Sequence, residues 1–334
     1  MMYINILTHL REKLFIKQLP PSFENEGIIF KINSKEDIEW DAVVVYEDIN
    51  FPFELKCKSG QLFFISGEPP IVKVYSSKFL DQFDYIVSAH TNIVHPNNHI
   101  KQQALPWYFG YGVDTDTIFY DYKKLETLPI PVKSKKISFI VSNREFLPGH
   151  IARLQFMEEI QKRYSDEIDL WGKGFMSLDD KSDGLLSYKF SICIENSTIN
   201  DYWSEKIADP FLSYTVPIYQ GCKNINSYFS SNSYIPINVI RKNDALKTID
   251  KIIEECDSLY NEMLPHIIQS REQLLSKYNV YRMLYAIIQS QEKKTDIIIE
   301  RIINSSQIYT DKKFANQILK LKRMSQKAYS KLMK

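Results

Sequence analysis

Cysteine is scarce in this chain and follows no pattern. Of 334 residues only Cys57, Cys193, Cys222 and Cys256 are cysteines. None stands at a spacing that would chelate a metal, so the four read as buried thiols in a reducing cytosol. An excess of one charge is also missing. The formal net charge of +1 excludes the basic footprint of a nucleic-acid-binding protein. No apolar run reaches the length of a membrane span, and the opening MMYINILTHLREK is too polar for a signal or an anchor. Among six histidines, only His95 and His99 have a four-residue spacing, and Pro96, Asn97 and Asn98 between them read as loop. Glycine does not occur after Gly221, and from Ser258 onward the pattern is helical, with Pro265 near one helix start. There is no internal repeat and no low-complexity segment.

What is present is an alternation of strand-like and helical patterns, the mark of an α/β protein. The 44% hydrophobic content over this length is enough for two domains with separate cores. Strands are expected at Tyr3 to Leu7, Gly27 to Ile32, Ala42 to Tyr46, Leu62 to Ile65 and Tyr85 to Val87. The segment LETLPIPVKSKK, Leu125 to Lys136, combines prolines and lysines and reads as a linker. A second alternation begins at Ile137 to Val141, with a helix from about His150 to Arg163, a strand at Ile168 to Trp171, a further strand over Ser233 to Val239 and a helix over Asp244 to Glu255. The expected domains are 1–130, 131–257 and a helical region 258–334.

The richest stretch runs from Tyr188 to Gly221. Phe190, Ile192, Cys193 and Ile194 form an apolar run suited to a strand buried on both faces, and Glu195 and Asn196 stand at its carboxyl end. Ser204 is placed to cap a helix whose first turn holds Glu205 and Lys206. Thr215 to Tyr219 supply the next strand. Such a β-α-β unit binds ligands where strand ends meet the helix amino end, and there Lys206 and the helix dipole would converge on an anion.

The same segment resembles the donor-binding signature of glycosyltransferase family 10, the α-1,3/1,4-fucosyltransferases. The resemblance rests on Ile194-Glu195-Asn196-Ser197, Tyr202-Trp203-Ser204-Glu205-Lys206 and Thr215-Val216-Pro217-Ile218, matched without a gap. Two further stretches join it: SFIVSNREFLPGHIARLQFM from Ser138, and FFISGEPP followed by FDYIVSAHTN. It covers about Leu62 to Pro236. Pro210 departs from it, standing where relatives have a small helix former, and predicts a kinked or shortened helix.

The resemblance implies the GT-B arrangement, two Rossmann-like domains facing across a cleft. It implies an inverting, metal-independent transfer of L-fucose from GDP-fucose to a glycan hydroxyl, with no cofactor. Glu68 would be the general base. Arg153 and Lys206 would carry the diphosphate charge, with Arg144 a nearer competitor for the arginine, and Asn196 and Tyr202 would bond the phosphates. Glu205 would accept from ribose hydroxyls, Glu195 would face the sugar, and Ser204 would cap the helix. Asp114-Thr115-Asp116 forms a D-x-D triplet, which reads as a polar loop and not as a metal site. Animal relatives carry an anchor and a stem, so this chain looks bacterial and cytoplasmic, acting on surface polysaccharide or another glycan. Two other readings stay open: another nucleotide sugar on the same scaffold, and a glycan-binding relic without activity.

The carboxyl-terminal run DKKFANQILKLKRMSQKAYSKLMK, drawn as a helix, gathers Phe314, Ile318, Leu321, Ala328 and Leu332 in one stripe. Lys320, Arg323, Lys327, Lys331 and Lys334 fall opposite. A helix of this kind suits either an anionic membrane interface or docking on the protein's own core.

Overall fold

The computed structural model describes residues 1–141, 148–172, 174–291 and 295–309. The chain divides into two compact units, one of Met1–Leu105 with the described residues from Asn279 onward, the other of Pro106–Tyr278. The edges at 130/131 and 257/258 expected from the sequence do not coincide with these. The stretch read as a linker belongs to the body of the second unit, for a specific reason. Lys133 Nζ donates to Leu185 O at 3.2 Å, Ser213 O at 2.7 Å and Thr215 Oγ1 at 2.9 Å, and buried Arg271 donates to the carbonyl of Leu125.

The first unit is built on a parallel sheet of strands β1 (Met2–Thr8), β2 (Ile28–Ile32), β3 (Ala42–Tyr46), β4 (Leu62–Ile65), β5 (Tyr85–Ser88) and β6 (Asn98–Ile100), in the order β2-β1-β3-β4-β5-β6. Every residue of β3 and β4 is buried, which explains their unbroken apolar sequences AVVVY and LFFI. Phe64 of β4 packs against the rings of Tyr75, Phe79 and Phe83 at centroid distances of 4.8, 5.2 and 5.1 Å. All five expected strands are present. His99 lies on β6 and not in a loop.

A second sheet in this unit corrects the helical reading beyond Ser258. Ile298–Ile303 is a strand, paired antiparallel with Phe53–Lys58, which pairs in turn with Glu39–Trp40. Neither long strand was expected. Each has an irregular mix of exposed and buried positions, and its partner lies far away in sequence.

The second unit repeats the same plan. Strands β7 (Lys135–Ile140), β8 (Ile168–Trp171), β9 (Tyr188–Ile194), β10 (Val216–Gln220) and β11 (Ile235–Pro236) form a parallel sheet in the order β8-β7-β9-β10-β11. Helix α1 (Pro148–Arg163) joins β7 to β8, and α2 (Glu205–Leu212) lies between β9 and β10. The strand expected over Ser233 to Val239 shrinks to β11, because Ser231–Ser233 forms a 3-10 turn. Helices α3 (Lys242–Glu254) and α4 (Cys256–Ser276) follow. Pro265 sits well inside α4 rather than near its start, and the buried Tyr260, Met263, Ile267 and Leu274 hold the helix together through it. In both sheets the order reverses beside the first strand, which makes the carboxyl ends of β1 and β3, and of β7 and β9, the places for ligands.

All four cysteines are buried and unbridged. Among the described residues no helix is long and apolar enough to cross a membrane. Ser142, Asn143, Arg144 and the tail 310–334 lie outside the described residues.

Candidate active site

In the second unit the central strand β9 ends at Ile194, and the chain leaves it through Glu195 and Asn196. Ser204 has extended backbone angles, and its hydroxyl accepts from the N–H of Lys206 at 3.3 Å, so it caps α2 as its sequence suggested. Pro210 stands inside α2, which ends after eight residues at Leu212. The short helix agrees with a proline that can give no N–H to the ladder.

Glu195 holds the helix start in place. One carboxylate oxygen accepts from the Ser204 N–H at 2.8 Å and the other from the Ser204 hydroxyl at 2.6 Å. The second oxygen also lies 3.5 Å from Lys206 Nζ, and the Glu195 side chain is fully buried. Burial pushes this carboxyl up, and the Lys206 charge offsets that only in part. Gly221, past β10, makes room for it: a Cβ there would meet Glu195 Cγ at 2.4 Å and Tyr219 Oη at 2.3 Å. Gly221→Ala is therefore expected to destabilise the protein by about 1–3 kcal/mol through overpacking. A thermal melt reads the effect, and an unchanged Tm would contradict it.

Beside this arrangement is a pocket of about 260 Å³, lined by the ends of β7 and β9 and by Arg153, Lys181, Glu205, Lys206 and Asp209. It sits at the switch point of the sheet. Arg153, almost fully buried, donates through Nη1 to Asn196 Oδ1 at 3.3 Å. Lys206 Nζ lies 3.3 Å from Glu205 Oε1. Burial alone would lower the Lys206 ammonium, but Glu205 and Glu195 outweigh it and hold Lys206 above the ordinary lysine range. For Glu205 burial acts upward, and the charges of Lys206 and Lys181 overcome it, bringing the carboxyl down to about 2. Lys206 and Glu205 are thus both charged throughout the neutral range.

Two residues here escaped the sequence reading. Lys181 Nζ pairs with Asp209 Oδ2 at 2.6 Å, lies 3.7 Å from Glu205 Oε1, and stands 5.3 Å from the centroid of the Tyr108 ring. Asp209 in turn accepts from the N–H groups of Tyr108 at 3.1 Å and Phe109 at 3.0 Å. Its position four residues after Glu205 puts both acids on one face of α2, a spacing that could have flagged it. Lys181 sits in the polar run SLDDKSDG, which offers no such signal.

Of the residues singled out in the sequence, Arg153, Glu205 and Lys206 meet at the pocket, Asn196 touches Arg153, and Glu195 and Ser204 form the buried support behind Lys206. Tyr202 is buried in the β9–α2 connection. Glu68 belongs to the first unit, just beyond β4, and is half-buried; its carbonyl accepts from Ser66 Oγ at 3.0 Å and lies 2.8 Å from His90 Nε2. The D-x-D triplet is engaged within a hairpin: Tyr111 Oη donates to Asp116 at 2.6 Å, and the Asp114 N–H donates to Asp179 at 2.8 Å. Among the described residues no group of His, Cys, Asp or Glu is arranged to hold a metal ion.

Comparison with known proteins places this geometry in context. Residues 130–310 match the family described as Glycosyltransferase family 10 (fucosyltransferase) C-term. The chain is 29% identical over 160 residues to the 4-galactosyl-N-acetylglucosaminide 3-alpha-L-fucosyltransferase 9 of Rattus norvegicus, covering 45% of this chain and 43% of that protein. It is 30% identical over 88 residues to the Alpha-(1,3)-fucosyltransferase FucT of Helicobacter pylori, covering 26% of this chain and 18% of that one. The chain thus spans less than half the length of these curated relatives. A solved alpha-glucosyltransferase in complex with UDP and a 13-mer DNA superposes with a TM-score of 0.51 at 10% identity, over 87% of this chain and 100% of that one. At that identity the likeness is one of fold: two Rossmann-like domains of the GT-B class.

Proposed function

Because this chain belongs to glycosyltransferase family 10, the fucosyltransferases, we propose that it moves L-fucose from GDP-fucose to a hydroxyl of a glycan, inverting the anomeric carbon and needing no divalent metal. The observation that carries this reading is the pairing of Arg153 and Lys206 at the pocket beside the amino end of α2.

As the bond from sugar to diphosphate breaks, negative charge grows on the leaving phosphate. Preorganised cations stabilise that charge without having to reorganise. Arg153 and Lys206 take this role, and Asn196 and Tyr202 support the phosphates. Glu205 accepts from the ribose hydroxyls, as a carboxylate suits a vicinal diol. Lys181, tied to Asp209, holds Glu205 in orientation. Ser204 caps the helix. Glu195, whose oxygens are both engaged by Ser204, keeps Lys206 in place from behind rather than meeting the sugar. Glu68 receives the acceptor hydroxyl proton. Calorimetry tests the donor: GDP and GDP-fucose are expected to bind, and preferential binding of UDP or its sugars would move the chain to another nucleotide sugar.

The basic tail supports a peripheral place on an anionic membrane, facing the cytoplasm, where surface polysaccharide precursors are within reach. Truncation after Thr310 is expected to remove binding to anionic vesicles and to leave activity on a soluble acceptor intact. Full-length protein that ignores such vesicles at low salt would leave the tail docked on its own core.

A further inference from the structure

Directly after β3 in the first unit, Glu47 adopts a left-handed backbone conformation with φ of 67°. A non-glycine residue held there costs about 1–3 kcal/mol and persists only where its surroundings demand it. Its N–H donates to Ile65 O at 2.9 Å, which sets Glu47 alongside the end of β4 and beneath the residues leading to Glu68. The side chain is buried. Gly67 leaves room for it: a Cβ there would lie 2.4 Å from Glu47 Oε1 and 3.1 Å from Tyr46 Oη. Tyr75 Oη donates to Glu47 Oε2 at 3.1 Å, and the Glu68 N–H also donates to the Glu47 carboxylate. The Glu68 backbone is therefore gripped on both sides, its N–H by Glu47 and its carbonyl by Ser66 and His90.

We propose that Glu47 is the positioning residue of the general base: it fixes the backbone that carries Glu68, and its negative charge strengthens Glu68 as a proton acceptor. This rests on the reading of Glu68 as the base. In the transfer the acceptor O–H bond breaks and its proton passes to the Glu68 carboxylate. The oxygen electron pair forms the new bond to the anomeric carbon, and the bond from that carbon to the diphosphate oxygen breaks with its pair.

The electrostatic surroundings agree with this arrangement. The groups facing Glu47 are Glu68 on its own loop, Lys73 and Tyr75 on the following segment, and Tyr46 from the end of β3. Lys73 is also bound to Asp48 at 3.1 Å, and His90 lies against the Tyr75 ring at a centroid distance of 5.8 Å. Burial first, and then the charge of Glu68, push the Glu47 carboxyl up to about 7, against the opposing pull of Lys73 and Tyr75. Below that pH Glu47 is neutral and lends Glu68 no charge; above it the pair repels and Glu68 binds a proton more tightly. The acid limb of kcat/KM then follows Glu47, since this parameter reports ionisations of the free enzyme.

The test is the pH profile of kcat/KM for the full chain and for Glu47→Gln, Tyr75→Phe and Glu68→Gln, with GDP titration and a thermal melt on each. Glu47→Gln is expected to shift the acid limb down by at least one pH unit, to lower the plateau about 10–100-fold as a weakened base would, and to leave GDP affinity unchanged. Tyr75→Phe is expected to shift the limb upward, because it removes a bond that favours ionised Glu47. A folded Glu47→Gln with the parent limb overturns the proposal. If Glu47→Gln does not fold, an unmoved limb in Tyr75→Phe overturns it equally. Near-normal turnover of Glu68→Gln would remove the base reading itself, whereas slow Glu68→Gln beside an unmoved limb removes only the role of Glu47.

Discussion

Lys206→Ala is expected to lower kcat by roughly 10²–10³-fold, the range seen when one preorganised charge stabiliser is removed, and to weaken GDP binding as well. The reason is the place of Lys206. It stands at the pocket wall, and Glu205 and Glu195 keep it charged. The substitution also removes the cation beside the fully buried Glu195 side chain, so a loss of stability will accompany the loss of activity. Arg153→Ala separates the two effects, because Arg153 repels Lys206 rather than compensating it. It should lose turnover to a similar degree with a smaller change in Tm. Normal turnover in a folded Arg153→Ala variant would contradict the assignment of the phosphate charge to these two residues.

Glu68→Gln is expected to lower kcat by roughly 10²–10⁴-fold, as the loss of a general base does. Substitution by glutamine keeps the size and the backbone contacts with Ser66 and His90, so the fold should not change. Glu68 belongs to the first unit and the pocket lined by Arg153 and Lys206 to the second, so GDP affinity is expected to stay within about twofold, a difference below 0.5 kcal/mol. Steady-state rates at saturating donor, with GDP titration in parallel, check both halves. A variant with unchanged kcat would mean that another group takes the acceptor proton.

The parts of the fold legible in the sequence were those encoded locally. The strands β3, β4 and β9 are buried on both faces, so their apolar runs could hardly be read otherwise, and the cap at Ser204 lies beside the helix it starts. The pocket residues Glu205 and Lys206 are reached through that same segment, and Arg153 through the separate stretch from Ser138 to Met157. The sequence failed where a residue takes its meaning from a distant partner. The Ile298–Ile303 strand is defined by Phe53–Lys58, and Lys181 by Asp209. Glu47 reads as one more acid at a strand end until Tyr75 and the Gly67 backbone are seen around it. Lys133 misled in the opposite direction: a lysine among prolines suggests solvent, yet its amine is enclosed by Leu185 on one side and by Ser213 and Thr215 on the other. Glu195 was expected at the sugar, and its carboxylate is engaged by Ser204, nine positions further along the chain, a contact that the intervening connection conceals.

The most direct test of the central claim is release of GDP from GDP-fucose by the purified chain, in the presence of excess EDTA, with and without a panel of glycan acceptors. The account predicts acceptor-dependent GDP release that EDTA does not diminish, together with a fucosylated product whose anomeric configuration is opposite to that of the donor. Release that stops in EDTA and returns with manganese, or a product that retains the donor configuration, would contradict it.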